Sequence, residues 1–256
     1  MARVFTRGQN PIHVAAAPVT GYPFTYACWL SVTSVSPGGN QNALNSGHIV
    51  GANSNDWIGI FIDNATGKIG GFVSNSSNTF ATIVNTASAA LTANTFYPAV
   101  YVGVSSTSRT IYTYQSGSLV STNDTVSSVF GGTTSDTWIG MFGNTPANIA
   151  DFGGSCAECA AWNVVLSTAE ITSYCRGARA YTIREPSLKG YWPLDGIVLP
   201  EPDLSGAVNN LSALGANSNP TLGFGPPLMQ FTPRWPQFNF PPPPPPAFVL
   251  MPQIVM

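Results

Sequence analysis

The stretch GSCAECAAWNVVLSTAEITSYCRG, residues 154–177, decides the fold. Its first part, from Ser155 to Trp162, is small and apolar around a single charge, Glu158, and no Gly or Pro interrupts it. A short run of this kind between turn residues predicts a β-strand. The second part changes period. Ser167, followed three residues later by Glu170, forms the pattern of a capping box, in which each side chain satisfies a backbone N–H at a helix start. Leu166 and Ile171 are placed as a hydrophobic staple, and Gly177 is placed to end the helix. The helix is about two turns long, too short to persist alone, so it must pack on the sheet that leads into it.

Working outward, runs of β-branched and aromatic residues recur between clusters of Gly, Asn, Ser and Thr: FTYACWLSV, WIGIFI, KIGGFV, FYPAVYVGV, RTIYTY, GSLVST, WIGMF and CAECAAW. Many short strands at this spacing predict an all-β antiparallel two-sheet sandwich. Two strands nearly repeat, Asp56-Trp57-Ile58-Gly59-Ile60-Phe61 and Thr137-Trp138-Ile139-Gly140-Met141-Phe142. In each, strand alternation puts the aromatics and the glycine on one face and the aliphatics on the other. Two readings follow for Trp57 and Trp138. They are core residues beside glycines that make room for a facing side chain, or they are exposed rings that stack on a ligand.

Only 8% of the 256 residues are charged and the net charge is -2, against roughly 25% charged residues in an average soluble protein. Such a chain has no field to draw it to phosphates or anionic lipid, so neither nucleic acid nor a membrane is expected as a partner. The N-terminal MARVFTRGQNPIHVAAAPVTG lacks the apolar run of a signal peptide, and no segment approaches the roughly 18 apolar residues of a membrane span. The four cysteines, Cys28, Cys156, Cys159 and Cys175, are too few for a disulfide framework and are read as free thiols.

The segment first quoted resembles the closing strand and helix of laminin-G-like jelly rolls of the concanavalin A-like class, through Trp162, Asn163, Leu166, Ser167, Ala169, Glu170 and Ile171. PFTYACWLSV is similar to that family's early strand with its buried Trp, and LTANTFYPAVYVGVSSTSRTIYTYQSGSLV to its central hairpin. LKGYWPLDG and PDLSGAVNNLSALG resemble two further segments, lying here after the helix as in jelly-roll proteins of tailed bacteriophages. The resemblance covers residues 1 to about 228 and implies a jelly roll with one short helix. Fold alone does not fix activity.

Chemistry has little to build on. Glycoside hydrolysis needs two carboxylates roughly 5 to 9.5 Å apart, and no two acidic residues lie two or four apart on a predicted strand. His13 and His48 have no triad pattern beside them. Cys156 and Cys159 have the spacing of half a zinc site, yet residues three apart on a regular strand face opposite sides, so no metal is expected there. Because many laminin-G-like domains hold calcium, the resemblance makes Asp151, Asp195 and Asp203 its candidates. Turn capping explains the same aspartates, and no other cofactor is expected.

After Leu228 the composition shifts to Pro233, Pro236, Pro241, Pro242, Pro243, Pro244, Pro245, Pro246 and Pro252. Residues 229–256 therefore read as an extended proline-rich arm after a domain of residues 1–228. The tip carries Phe248, Leu250, Met251, Ile254 and Val255 and no charge. A disordered tail would be polar, so Pro241–Pro246 and this tip are expected to contact a partner. The expectation is a non-enzymatic virion protein made in a host bacterial cytoplasm, decorating a phage capsid. Its partners would be the major capsid protein and neighbouring copies of itself, as a homo-oligomer. The alternative is a glycan-binding receptor-recognition module with Trp57 and Trp138 at its site.

Overall fold

The run FTYACWLSV forms a strand buried along its whole length, because both of its faces are covered. Phe24, Tyr26, Cys28, Leu30 and Val32 point into the core between two sheets, and Ala27 and Trp29 point the other way into a layer closed by the helix. The computed structural model describes residues 1–9, 11–47, 56–74, 80–128, 134–142, 151–196, 199–214 and 221–228. The strands are β1 (Ala2–Phe5), β2 (Ile12–Val14), β3 (Phe24–Val32), β4 (Gln41–Gly47), β5 (Trp57–Ile62), β6 (Ile69–Ser74), β7 (Phe80–Val84) and β8 (Tyr97–Ser105). There follow β9 (Ser108–Gln115), β10 (Ser118–Asp124), β11 (Asp136–Ile139), β12 (Gly154–Trp162), the helix α1 (Thr168–Cys175), β13 (Leu188–Trp192), β14 (Ser212–Ala213) and β15 (Thr221–Gly223).

Among the described residues these strands make two antiparallel sheets. An eight-stranded sheet runs β10-β9-β8-β3-β12-β1-β15, with β13 beside β12, and a seven-stranded sheet runs β14-β2-β11-β4-β5-β6-β7. The fold is a jelly-roll sandwich with one short helix. Aliphatic side chains from both sheets, such as Ile58, Ile60, Ile62, Ile69, Val73 and Ile111, fill the space between them. One chain of hydrogen bonds crosses that core: Tyr26 donates to Ser46 Oγ at 2.9 Å, Ser46 and Thr137 share a bond of 2.8 Å, and Thr137 donates to the Ala16 carbonyl at 2.8 Å. Burial pushes the Tyr26 phenol well above its ordinary pKa, so it stays neutral.

The helix has the predicted caps. The Glu170 backbone N–H donates to Ser167 Oγ at 3.3 Å and the Ser167 N–H to Glu170 Oε2 at 2.7 Å. Gly177, at φ 99°, continues into a Schellman turn in which the Ala178 N–H reaches Ser173 O at 3.0 Å. Leu166 and Ile171 are buried, and Tyr174 packs edge-on against Trp162 with ring centroids 6.3 Å apart. Burial of a side chain such as Ile171 contributes roughly 1.5–3 kcal/mol, which is what holds so short a helix. Among the described residues no helix is long and apolar enough to cross a membrane.

Candidate functional site

With α1 on the outer face of the eight-stranded sheet, the outer face of the seven-stranded sheet is the other broad surface. Alternation brings Trp57 and Phe61 of β5, Phe72 of β6 and Trp138 of β11 onto it, joined by Met141. The rings lie flat over neighbouring glycines. A Cβ at Gly47 would stand 2.2 Å from the Trp57 ring, one at Gly59 2.5 Å from Phe72, and one at Gly70 2.4 Å from Phe61. The glycines of these strands thus make room for facing rings, as one of the two sequence readings has it.

The exposed arrangement of Trp57 and Trp138 is corrected. They are only 3% and 1% exposed. After Ile139 the chain turns at Gly140, φ 88°, and brings Phe142 over Trp57 with centroids 4.4 Å apart. The two indoles pack on each other at 5.1 Å, and His13 lies on Trp138 at 5.2 Å. Their flat faces are used within the chain, so neither presents a free stacking surface. Beneath this layer, Trp138 Nε1 and Asn45 Oδ1 have no hydrogen-bond partner among the described residues, while Asn45 Nδ2 donates to Met141 O at 2.6 Å. His13 Nε2 lies 2.8 Å from Asp136 Oδ1 at the half-buried margin. His48 lies outside the described residues.

Most of the carboxylates that the structure describes are held by a cation or a cap, and two of them, Glu158 and Asp195, share Arg179 at 3.4 and 3.7 Å. Glu201 pairs with buried Arg3, Asp124 pairs with Arg109, and Glu170 receives both its cap and a bidentate bond from Arg184 at 2.8 and 2.9 Å. Burial alone would raise the Glu170 pKa, but Arg184 and Ser167 hold it below the usual range. Of the calcium candidates, Asp203 is filled by three backbone donors: the N–H groups of Tyr191 and Ser205 on Oδ1, at 2.9 Å each, and that of Asn209 on Oδ2 at 3.1 Å. This is a turn cap. Asp195 lies 3.7 Å from Arg179, and Asp151 is buried beside β4 in a bridge to Asn42. The three are not brought together, and among the described residues no group of three or more His, Cys, Asp or Glu is arranged to hold a metal ion.

Cys156 and Cys159 require a second correction. Both face the core between the sheets, together with Cys28. The register of β12 against β3 slips between Ala157 and Ala160, and Glu158 adopts φ 53°. This bulge inserts a residue, so positions three apart return to one face. Cys159 lies between Cys28 and Cys156; its contact raises the Cys28 thiol pKa, with burial adding to it, and burial raises those of Cys156 and Cys159. All four cysteines are free and buried. The bulge turns Glu158 toward Tyr191, whose hydroxyl donates to Oε2 at 2.9 Å, and toward Arg179 at 3.4 Å. Burial raises the Glu158 pKa against the opposing effect of both partners. Residues 229–256, with Pro241–Pro246, Phe248, Leu250, Met251, Ile254 and Val255, lie outside the described residues.

The two antiparallel sheets and the short helix agree with the class that a family profile assigns to the chain. It belongs to the concanavalin A-like lectin/glucanases superfamily, whose laminin-G-type profile matches residues 6–172. No curated protein matches it by sequence. Among solved structures it is similar to a putative carbohydrate-binding protein from Bacteroides ovatus, with TM-score 0.56 and 16% identity over 86% of this chain and 61% of that one. It is also similar to the CBM40 module of the Ruminococcus gnavus IT-sialidase bound to α2,3-sialyllactose, with TM-score 0.52 and 15% identity over 68% and 95%. A third is the SAP-like pentraxin of Limulus polyphemus, with TM-score 0.50 and 11% identity over 68% and 81%. At these identities the likeness is one of fold.

Proposed function

We propose that the chain is a non-enzymatic structural module of a virion, a decoration protein whose jelly roll sits on a phage capsid and whose C-terminal arm runs along adjoining subunits. The observation that carries this reading is the contrast between the two parts of the chain. The described domain buries its three apolar clusters within residues 2–228. The following residues carry six consecutive prolines and an apolar tip, with no charge after Arg234. A proline rod is already extended, so docking it costs less conformational entropy than ordering a flexible chain. The partners are the major capsid protein and further copies of this chain, as a homo-oligomer, and the place of action is the capsid surface. Counting the chain in purified particles of the virus that encodes it tests the reading. Hundreds of copies per particle support it, and a handful confined to the tail contradict it.

A second reading, glycan recognition, is favoured by one observation: among the described residues Trp138 Nε1 and Asn45 Oδ1 lie without partners under the outer face of the seven-stranded sheet. The CBM40 module of similar fold is bound to sialyllactose, and a sugar hydroxyl reaching the Trp138–Asn45 pair of β11 and β4 could serve both atoms. The margin carrying His13 and Asp136, rather than the indole faces, is then where a sugar would enter. Binding on a glycan array that is lost in Asn45→Ala supports this reading over the first.

A further inference from the structure

The β12 bulge puts one charged group into the interior. Glu158 is buried, its carbonyl accepts from the Tyr174 hydroxyl of α1 at 2.7 Å, and its Oε2 accepts from the Tyr191 hydroxyl of β13 at 2.9 Å. The other oxygen, Oε1, meets Arg179, which stands just before the 3-10 turn Ala180–Thr182. Arg179 has a second carboxylate within reach, that of Asp195 in the loop after β13. Both contacts use the same Nη1, at 3.4 and 3.7 Å. A closed guanidinium–carboxylate hydrogen bond is about 2.7–2.9 Å long, so Arg179 is shared between the two groups and closes on neither.

The two carboxylates sit in different surroundings. The Asp195 side chain is 41% exposed and that of Glu158 only 1%. Burial disfavours an ionised carboxyl, and at Glu158 it outweighs Tyr191 and Arg179, which favour the ionised form. The other titratable groups facing Glu158 are Tyr174 from α1 and Cys159 from its own strand, both kept neutral by burial, while Glu201 adds its charge beside Asp195. We infer that Arg179 is an acid-operated latch: while Glu158 is ionised the arginine is shared, and once Glu158 takes a proton the arginine closes on Asp195. The ionic tie between β12 and the Ala180–Thr182 turn is then exchanged for one between that turn and the loop after β13. The change reaches the surface, because the turn carries Tyr181, 44% exposed, with its ring 6.0 Å from that of Tyr191. Two carboxylates and one guanidinium also hold one negative charge in excess, which the proton removes. A single side chain with two alternative partners is the bistable element such a switch needs. The latch lies within the domain and is independent of what the arm binds.

Side-chain NMR on the full-length protein tests this. As pH is lowered, the Glu158 carboxyl carbon and the Arg179 Nε resonance should titrate together, with a midpoint above the ordinary glutamate value of 4.5. In Glu158→Gln, Arg179 should show its acid-form resonance already at neutral pH and no step below it. In Asp195→Asn, Arg179 has no partner once Glu158 is neutral. Its side-chain N–H groups should then exchange with water about tenfold faster than in wild type at the same acidic pH, and at the wild-type rate at neutral pH. A step in Arg179 that survives in Glu158→Gln overturns the inference, and so does an Arg179 resonance that stays fixed while Glu158 titrates. If Glu158→Gln fails to fold, the other two proteins decide: equal exchange at Arg179 in acidified wild type and acidified Asp195→Asn overturns the latch.

Discussion

Gly59→Ala tests the ring-over-glycine packing of the outer face. A Cβ at Gly59 would lie 2.5 Å from Cε1 and Cζ of Phe72 and 2.8 Å from Cβ of Asn45. Ordinary carbon contacts are roughly 3.5–4.0 Å, so about 1 Å must be recovered. Neither neighbour can give it freely. Phe72 is wedged edge-on against Phe61 at 6.0 Å and Phe142 at 5.8 Å, and Asn45 is tied to Met141 O at 2.6 Å. Replacing a strand glycine by alanine would otherwise gain about 0.5–1 kcal/mol. Overpacking costs about 1–3 kcal/mol, so a net loss is expected. At roughly 2–4 °C per kcal/mol for a chain of this size, the melting temperature should fall by a few degrees, to about 10 °C at most. Gly21→Ala is the control, because a Cβ there meets nothing within 4 Å; it should stay within about 0.5 kcal/mol of wild type. Calorimetry on both, and on Gly59→Ala combined with Phe72→Ala, gives the coupling. The double variant should lose less than the sum of its parts. A Gly59→Ala protein as stable as Gly21→Ala would refute the packing described.

Ser167→Ala should cost about 1 kcal/mol through loss of the N-cap, read as a lower urea midpoint with an unchanged slope. Glu158 gives a pH signature. Its folded pKa is raised by burial, so the folded state binds the proton more tightly than the unfolded chain does. Wild type should therefore gain stability relative to Glu158→Gln as pH falls through the raised pKa toward about 4.5, and the gap should be constant below. Wild type losing stability relative to Glu158→Gln on acidification would contradict the buried placement. The four buried thiols should react with a thiol reagent only after unfolding, and rapid reaction of Cys156 or Cys159 in the native protein would mean that the β12 bulge is misplaced.

The helix and the central strands were legible because their signals are local. The Ser167–Glu170 box is a four-residue pattern, and β3 and β5 read directly as apolar runs. Strand β4, QNALNSG, gave no such signal, since Gln41, Asn42, Asn45 and Ser46 are polar yet buried. Their burial depends on partners distant in sequence, such as Thr137 and Met141. The same holds for β1, where Arg3 is buried only because Glu201 meets it. The Glu158 bulge is invisible to alternation, which assumes one residue per step; a lone charge inside CAECAAW was the available hint. Exposure of Trp57 and Trp138 could not be read from their strands, because the cover comes from Phe142 beyond the Gly140 turn.

The central claim is that residues 241–256 hold the domain on a particle. The most direct measurement is the occupancy of purified virions by a chain lacking Pro241 to Met256, compared with full-length protein at equal expression. The account predicts a folded protein whose melting temperature matches wild type but whose occupancy falls at least tenfold. Normal occupancy of the truncated chain, or its failure to fold, would contradict it.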